Sequence, residues 1–432
     1  MMRYTRWVLI IVAGILLACS SNINWGAEHW RTVLQADAKG YHAYLPALVL
    51  ERDPNFGSFE RIERGSYYNP DLFYDYRSQV DGVFINKYFI GTAVMQLPMF
   101  LIAHGYALIT GAEPDGWSKP YVVAVNLSAI VFVLLGLWCL SKLLASYAIN
   151  DGAIAFTVVA FTFGTNLFYY AVVAPGMSHA YSFGLCCAFI LVGRRLAISP
   201  TPERLVWLGI LMGAIVLVRP VNGIILLALP ILFDRRQQFQ AVWQLVRSNS
   251  RFVGASVLVC IAIIGLQSSY YYAAMGTGMV YSYGEEGFNW NDPHMMDMLW
   301  SYRKGLFIYT PVTLLALVGV RHLWQRSRSA TLAWASFFVL LTYVLSSWWN
   351  WWYGGSFGSR VYVEFLGLFA LLFALAVQGL RQVWRKTFIA ATVLLTVLCQ
   401  IQTYQARYYQ IHWSDMDSER YWDVFLRVDQ LP

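Results

Sequence analysis

The chain has 432 residues, 58% of them hydrophobic, 17% aromatic and only 13% charged, with a mean hydropathy of +0.48. A soluble domain is about 25% charged, so a chain this poor in charge cannot cover itself against water, and an ordinary soluble enzyme is excluded. The formal net charge is +7, but the Lys and Arg residues sit mostly in short loops between apolar runs, as the positive-inside rule expects, so nucleic acid is excluded as a partner.

Runs near the ~20 residues that span a bilayer must pair their amides internally, and so are helices. A transmembrane barrel would instead show short alternating segments. Arg3 and Arg6 precede the first apolar run, which predicts a helix over 7–22 with its basic end inside. The stretch Leu16-Leu17-Ala18-Cys19 also fits a lipoprotein cleavage box. A membrane helix is the better reading, because the rest of the chain is membrane-embedded. A polar segment over 23–86, without a spanning run, follows as a long extracytoplasmic loop. Loops of that length in compact proteins are more often functional than idle.

Further apolar runs lie near 88–110, 120–145, 153–173 and 180–196. The run 205–233 is long enough to cross twice and is interrupted by Arg219-Pro220, which predicts a hairpin with Arg219 at its outer turn. Runs at 252–274, 305–323, 330–347, 361–380 and 387–403 complete the set. Basic loops at 321–328 and 381–386 face inward, leaving 275–303, 348–360 and a tail 404–432 outside. Charge parity requires 88–110 to start and finish outside, as a re-entrant segment or a pair bent at Pro98. The expected fold is an all-α polytopic transmembrane helix bundle of about 10–13 segments, one domain over 1–432. The six Cys lie in or beside apolar runs and form no metal or disulfide pattern.

Four polar clusters fall on the outer side, and ionisable groups at a membrane edge are costly and therefore functional candidates. Asp37, before Gly40-Tyr41-His42, can act as a general base on a hydroxyl, or can cap the helix that starts near Gly40. Lys87, beside Tyr88, is a point charge for phosphate or an interfacial anchor. Ser178 and His179 end a turn between helices, and Arg219 offers an anion its planar fork. The segment Trp348–Arg360 holds four Trp within five residues, with Trp351 and Tyr353 as candidate sugar or prenyl contacts. Its glycines admit a close ligand, and Arg360 is a third candidate for phosphate. Over 275–303, Tyr281, Tyr283, Glu285, Glu286, Trp290 and His294 suggest a lid. No phosphate loop, dinucleotide turn, HExxH, CxxC or GxSxG motif is present.

In their order along the chain, Asp37 with Gly40-Tyr41, Lys87-Tyr88-Phe89-Ile90-Gly91, Ser178-His179, Leu217-Val218-Arg219-Pro220 and Gly354-Gly355-Ser356-Phe357-Gly358-Ser359-Arg360 resemble the GT-C superfamily of membrane glycosyltransferases. The likeness is to the bacterial branch that uses polyprenyl-phosphate sugars, related in architecture to protein O-mannosyltransferases and the lipid A aminoarabinose transferase. The resemblance implies a GT-C-like fold in a bacterial inner membrane with the site on the periplasmic or extracellular face. It implies a polyprenyl-phosphate-linked donor, an inverting transfer to a lipid, glycan or protein hydroxyl, and Asp37 as base. Arg219, Lys87 and Arg360 would hold the donor phosphate, and Tyr41, Tyr88, Ser178, His179, Trp351 and Tyr353 would line the substrate. Ser178-His179 stands where many members carry a second acid. The resemblance leaves a divalent metal, Mg or Mn, open and names no other cofactor. A transporter or flippase of lipid-linked sugars, or a lipid-binding scaffold, is the competing reading; transporters often carry inverted repeats, and none is visible.

Overall fold

The computed structural model describes residues 3–65 and 70–429; residues 66–69 of the first loop and 430–432 of the tail lie outside it. It is a helix bundle whose single sheet, among the described residues, is the hairpin β1 (Arg77–Val80) and β2 (Val83–Asn86). Eight helices are long and apolar enough to cross a membrane, and the chain is a polytopic membrane protein. They begin with α1 (Arg3–Asn24). A short helix α2 (Asp37–Leu45) stands in the first loop. The long helices α3 (Gly91–Thr110) and α4 (Lys119–Ser146) follow, then the shorter α5 (Asp151–Phe163). Next come α6 (His179–Ile198), α7 (Pro202–Val218) and α8 (Ser250–Met275). The last are α9 (Arg328–Ser346), α10 (Leu366–Gly379), α11 (Gln382–Arg407) and the tail helix α12 (Ser418–Val424).

The segment Arg360–Gly379, a 3₁₀ turn leading into α10, is the almost wholly buried centre of the bundle. By contrast α8 buries few of its residues fully, and Leu258 and Ile261 are 68% and 60% exposed. An unbroken apolar face of that kind suits lipid and not water. It is fastened on its other side to α7, where Gly209 and Gly213 let the backbone at Ser256 and Cys260 approach closely, the small-xxx-small packing of membrane helices.

The basic loop over 321–328 meets the end of α6 and the segment after Leu232 at one end of the bundle. Arg194 donates to Asp234 at 2.6 Å and to the carbonyl of Leu232 at 2.7 Å, and Arg326 reaches the same Asp234 at 2.8 Å.

Two expectations are corrected. The run 88–110 is a single continuous helix through Pro98 and not a pair bent there. Gly91 at its start abuts the backbone at Leu217–Val218, and beyond its far end the carbonyl of Gly116 pairs with His42 Nε2 at 2.7 Å. The run 305–323 is not one helix. It breaks into Leu306–Tyr309, Val312–Ala316 and Gly319–Arg326, since Pro311 removes a donor and Gly319 packs directly on the carbonyl of Leu372.

Candidate active site

The end of the bundle opposite the Arg194–Asp234 cluster encloses a cavity of about 950 Å³. Asp37, Lys87, Arg219 and Arg360, drawn from positions more than 300 residues apart, all line it, as do Tyr41, Tyr88 and Tyr353.

Asp37 is the first residue of α2, but its carboxylate does not cap that helix. It faces the cavity instead. Arg360 donates to Oδ2 at 2.8 Å, and Tyr88 donates its hydroxyl to Oδ1 at 2.7 Å. Tyr74, 2.5 Å from the Tyr88 hydroxyl, lies 3.5 Å from the same Oδ1. Burial pushes the Asp37 carboxyl up, but the Arg360 guanidinium and the Tyr88 hydroxyl outweigh it and hold the group below the usual carboxylate range. Ala36, just before it, has φ +45°, a left-handed value that L-residues resist. Tyr353 and Tyr409 also line the cavity with φ +56° and +59°. Such strain tends to gather at ligand sites.

Arg219 is placed by Pro220. A residue before proline is driven out of the helical region, and Arg219 ends α7 with φ −152° and ψ 114°. The chain then turns into the 3₁₀ segment Pro220–Leu232, giving the hairpin expected from the sequence. Gly91 holds this turn close, because a Cβ there would strike the backbone of Leu217 and Val218. The Arg219 guanidinium lies 5.9 Å from the Tyr353 ring centroid and 3.5 Å from Glu364 Oε1.

Glu364 sits one turn past Arg360, fully buried beneath the cavity, and its Oε1 is 2.9 Å from His179 Nδ1. Its other oxygen has no hydrogen-bond partner among the described residues. His179 and Ser178 therefore lie behind the cavity wall and not on it. Ser178 donates to the Tyr41 hydroxyl at 3.4 Å, and His179 packs edge-on to Tyr170. Lys87 pairs with Glu286 at 2.6 Å, which ties the 275–303 loop to the site. Of that loop, Tyr281, Tyr283 and Glu286 reach the cavity. Glu285, Trp290 and His294 do not line it, and Trp351 turns away to stack on His294 at 5.6 Å.

Several lining groups carry no signal in the sequence. Tyr74 precedes β1 in a loop with no motif, and Arg407, Tyr409 and Trp413 come from the tail. Glu364 is signalled only by its spacing one turn after Arg360.

For a divalent metal the donor set is too small. Among the described residues no group of three or more His, Cys, Asp or Glu side chains converges. Both oxygens of Asp37 are already engaged by Arg360 and Tyr88. The residues present do not fit a protein-held metal ion.

No family model and no curated protein matches the chain. Solved structures do. The archaeal oligosaccharyltransferase AglB from Archaeoglobus fulgidus, in complex with an inhibitory peptide and a dolichol-phosphate, superposes with a TM-score of 0.51 over 99% of this chain and 60% of its own length, at 10% identity. The chain has the GT-C-like fold of this oligosaccharyltransferase. The Archaeoglobus fulgidus oligosaccharyltransferase in its apo form gives a TM-score of 0.49 at 11% identity, over 99% of this chain and 60% of that one. Its complex with Zn and sulfate gives 0.48 at 12% identity, over 98% and 57%. This chain thus spans about three-fifths of the length of these neighbours.

Proposed function

We propose that this protein is a membrane glycosyltransferase that moves a sugar from a polyprenyl-phosphate-linked donor to an acceptor hydroxyl, with inversion, on the outer face of a bacterial cell membrane. The observation that carries the reading is the convergence of Asp37, Arg219, Lys87 and Arg360 on one cavity. The fold supports it, since a neighbour of the same architecture is solved with a dolichol-phosphate, itself a lipid-linked phosphate.

The chemistry follows from charge. The acceptor oxygen attacks the anomeric carbon as the bond from that carbon to the phosphate oxygen breaks. The phosphate departs with the electron pair, and the hydroxyl proton passes to the Asp37 carboxylate. Asp37 is held ionised and so can accept that proton, while Tyr88 and Arg360 fix the direction of its oxygens. Arg219 and Lys87, with the free face of Arg360, oppose the charge that grows on the leaving phosphate. Charge on the sugar peaks in an oxocarbenium-like state, in a cavity walled by the rings of Tyr41, Tyr74, Tyr88, Tyr170, Tyr283 and Tyr353. The acceptor is a lipid, a glycan or a protein.

The test is transfer by the purified protein in nanodiscs, with a panel of polyprenyl-phosphate sugars as donors. Asp37→Asn is expected to lose activity by about 10²–10⁴-fold, the usual worth of a general base, while still binding donor. An Asp37→Asn protein as active as the parent removes Asp37 from the mechanism. Passage of the lipid-linked sugar across vesicles without transfer would make the protein a transporter.

A further inference from the structure

The end of the bundle remote from the cavity carries cations that no carboxylate answers. From Arg235 to Gly284 the sequence holds four Arg and no Asp, Glu or Lys. Asp234, the acid just before that stretch, is already taken by Arg194 and Arg326. Arg236, Arg247 and Arg251 are exposed and make no ion pair among the described residues. Around the cavity the pattern is reversed, since Lys87, Arg219 and Arg360 each face a carboxylate.

Arg236 and Arg247 belong to a helix, Arg236–Ser248, that buries no residue fully. Val242, Leu245 and Val246 lean on the bundle. Phe239 and Trp243, one turn apart, stay 54% and 50% exposed. At ~100° per residue these two rings fall between the side that leans on the bundle and the side that carries Arg236 and Arg247. Gln237, Gln240 and Gln244 lie beyond the arginines. Around its open half the helix therefore grades from apolar to cationic to neutral polar, which is the order of environments from acyl chain to headgroup to water. The Arg247 guanidinium lies over the Trp243 ring at 4.8 Å, so cation and indole are held side by side.

That pairing recurs at the same end. Arg328 lies 5.6 Å from the centroid of Trp324 and Lys142 lies 6.0 Å from that of Trp138, each cation again four residues after its ring. Trp324 and Trp138 are 44% and 40% exposed. Arg326, between Trp324 and Arg328, reaches both Asp234 and the carbonyl of Tyr147, which caps α4, so the three pairs share one end of the molecule. Indole rings settle at the headgroup boundary, and a long basic side chain beside one reaches the lipid phosphate above it.

We propose that the helix Arg236–Ser248, with the Trp–cation pairs beside it, is a docking surface for an anionic phospholipid leaflet. Phe239 and Trp243 enter the acyl boundary. Arg236 and Arg247, with Arg251 in the first turn of α8, meet lipid phosphates. Charge decides the occupant: exposed guanidiniums without an acid favour a headgroup of net negative charge over a zwitterionic one. The inference stands apart from the transfer reading above.

Native mass spectrometry of the full chain, released from micelles containing equal phosphatidylglycerol and phosphatidylcholine, reads the preference directly. The parent is expected to retain phosphatidylglycerol over phosphatidylcholine by about tenfold or more, since each cation near such a surface contributes about fivefold. Arg236→Gln, Arg247→Gln and Arg251→Gln combined in one variant should lower that ratio by about fivefold or more. These side chains are exposed, so the variant keeps its fold, which circular dichroism checks. In nanodiscs of phosphatidylglycerol, open to water on both faces, Gln244→Cys should react with a water-soluble maleimide over the background of the native cysteines. Phe239→Cys should react about tenfold more slowly, as a position sunk below the headgroups does. Equal retention of the two lipids, a preference that survives in the triple variant, or equal labelling at positions 239 and 244 overturns the proposal. A dimer held by the parent and lost in the triple variant gives the face to a second copy of the chain and overturns it as well.

Discussion

Removing the Arg360 guanidinium tests the centre of the site most directly. Arg360 and Asp37 are 11% and 18% exposed and meet at 2.8 Å. Unit charges about 4 Å apart attract by roughly 4 kcal/mol at the effective dielectric of a protein edge. Breaking a buried pair from one side costs about 3–5 kcal/mol, because a charge is left without compensation. Some water reaches both groups, so Arg360→Gln is expected to lower kcat/KM by about 10²-fold, near 3 kcal/mol of barrier. The pH profile carries the sharper signature. The Asp37 carboxyl lies below its ordinary range because Arg360 and the Tyr88 hydroxyl outweigh burial. The ionised base is therefore lost only as pH falls through that depressed value, and the acid limb of wild-type kcat/KM should lie below the ~3.9 of a free aspartate. Without Arg360, burial is left with Tyr88 and Lys87 against it, and the limb moves to higher pH. Arg360→Lys, which keeps the charge but not the fork, should fall between. An acid limb that stays in place or moves down in Arg360→Gln, or a kcat/KM within about twofold of wild type, refutes the coupling of these two residues.

Gly91→Val should displace the Leu217–Val218 backbone and with it Arg219, raising donor KM in a transfer assay while α3 itself survives by circular dichroism; an unchanged KM removes Gly91 from the positioning of Arg219. Glu364→Gln leaves Arg219 without its carboxylate beside a fully buried site, at a cost of about 3–5 kcal/mol. A short prenyl phosphate should then raise the melting temperature of the variant more than that of wild type, as the phosphate replaces the lost counter-charge. Burial drives the Lys304 ammonium down to about 7. The folded protein therefore binds fewer protons than the unfolded chain above that pH, and stability gains up to about 1.4 kcal/mol per pH unit until the free lysine value near 10.4. Thermal melts of Lys304→Met between pH 7 and 10 should lack that rise.

The sequence was most legible where physics acts locally. Hydropathy marked the long helices because each must satisfy its own amides in lipid. Arg219-Pro220 announced its own turn, since proline dictates the conformation before it. It was less legible at 305–323, where an unbroken apolar run conceals Pro311 and the contact of Gly319 with Leu372. Hydropathy sees neither. Within the cavity, Asp37, Lys87, Arg219 and Arg360 stood out because charges are rare in this chain and costly near a bilayer. Tyr74, Arg407 and Trp413 did not, as tyrosine, arginine and tryptophan are ordinary in polar loops and only the packing brings them to one wall. Trp351 misled for the opposite reason. Four tryptophans within five residues look equivalent on paper, yet the chain can present only some of them to one side.

At the other end of the bundle, a single carboxylate, Asp234, joins Arg194 to Arg326. These three residues leave the ribosome in the order 194, 234, 326. The first arginine can be neutralised only when the hairpin carrying the acid has been made, and the third partner arrives some ninety residues later. Until then Asp234 serves the one cation, Arg194. Closure of the bundle at that end is thus timed by synthesis, and a truncated chain ending before Arg326 should be cleared by membrane proteases faster than one ending just after it.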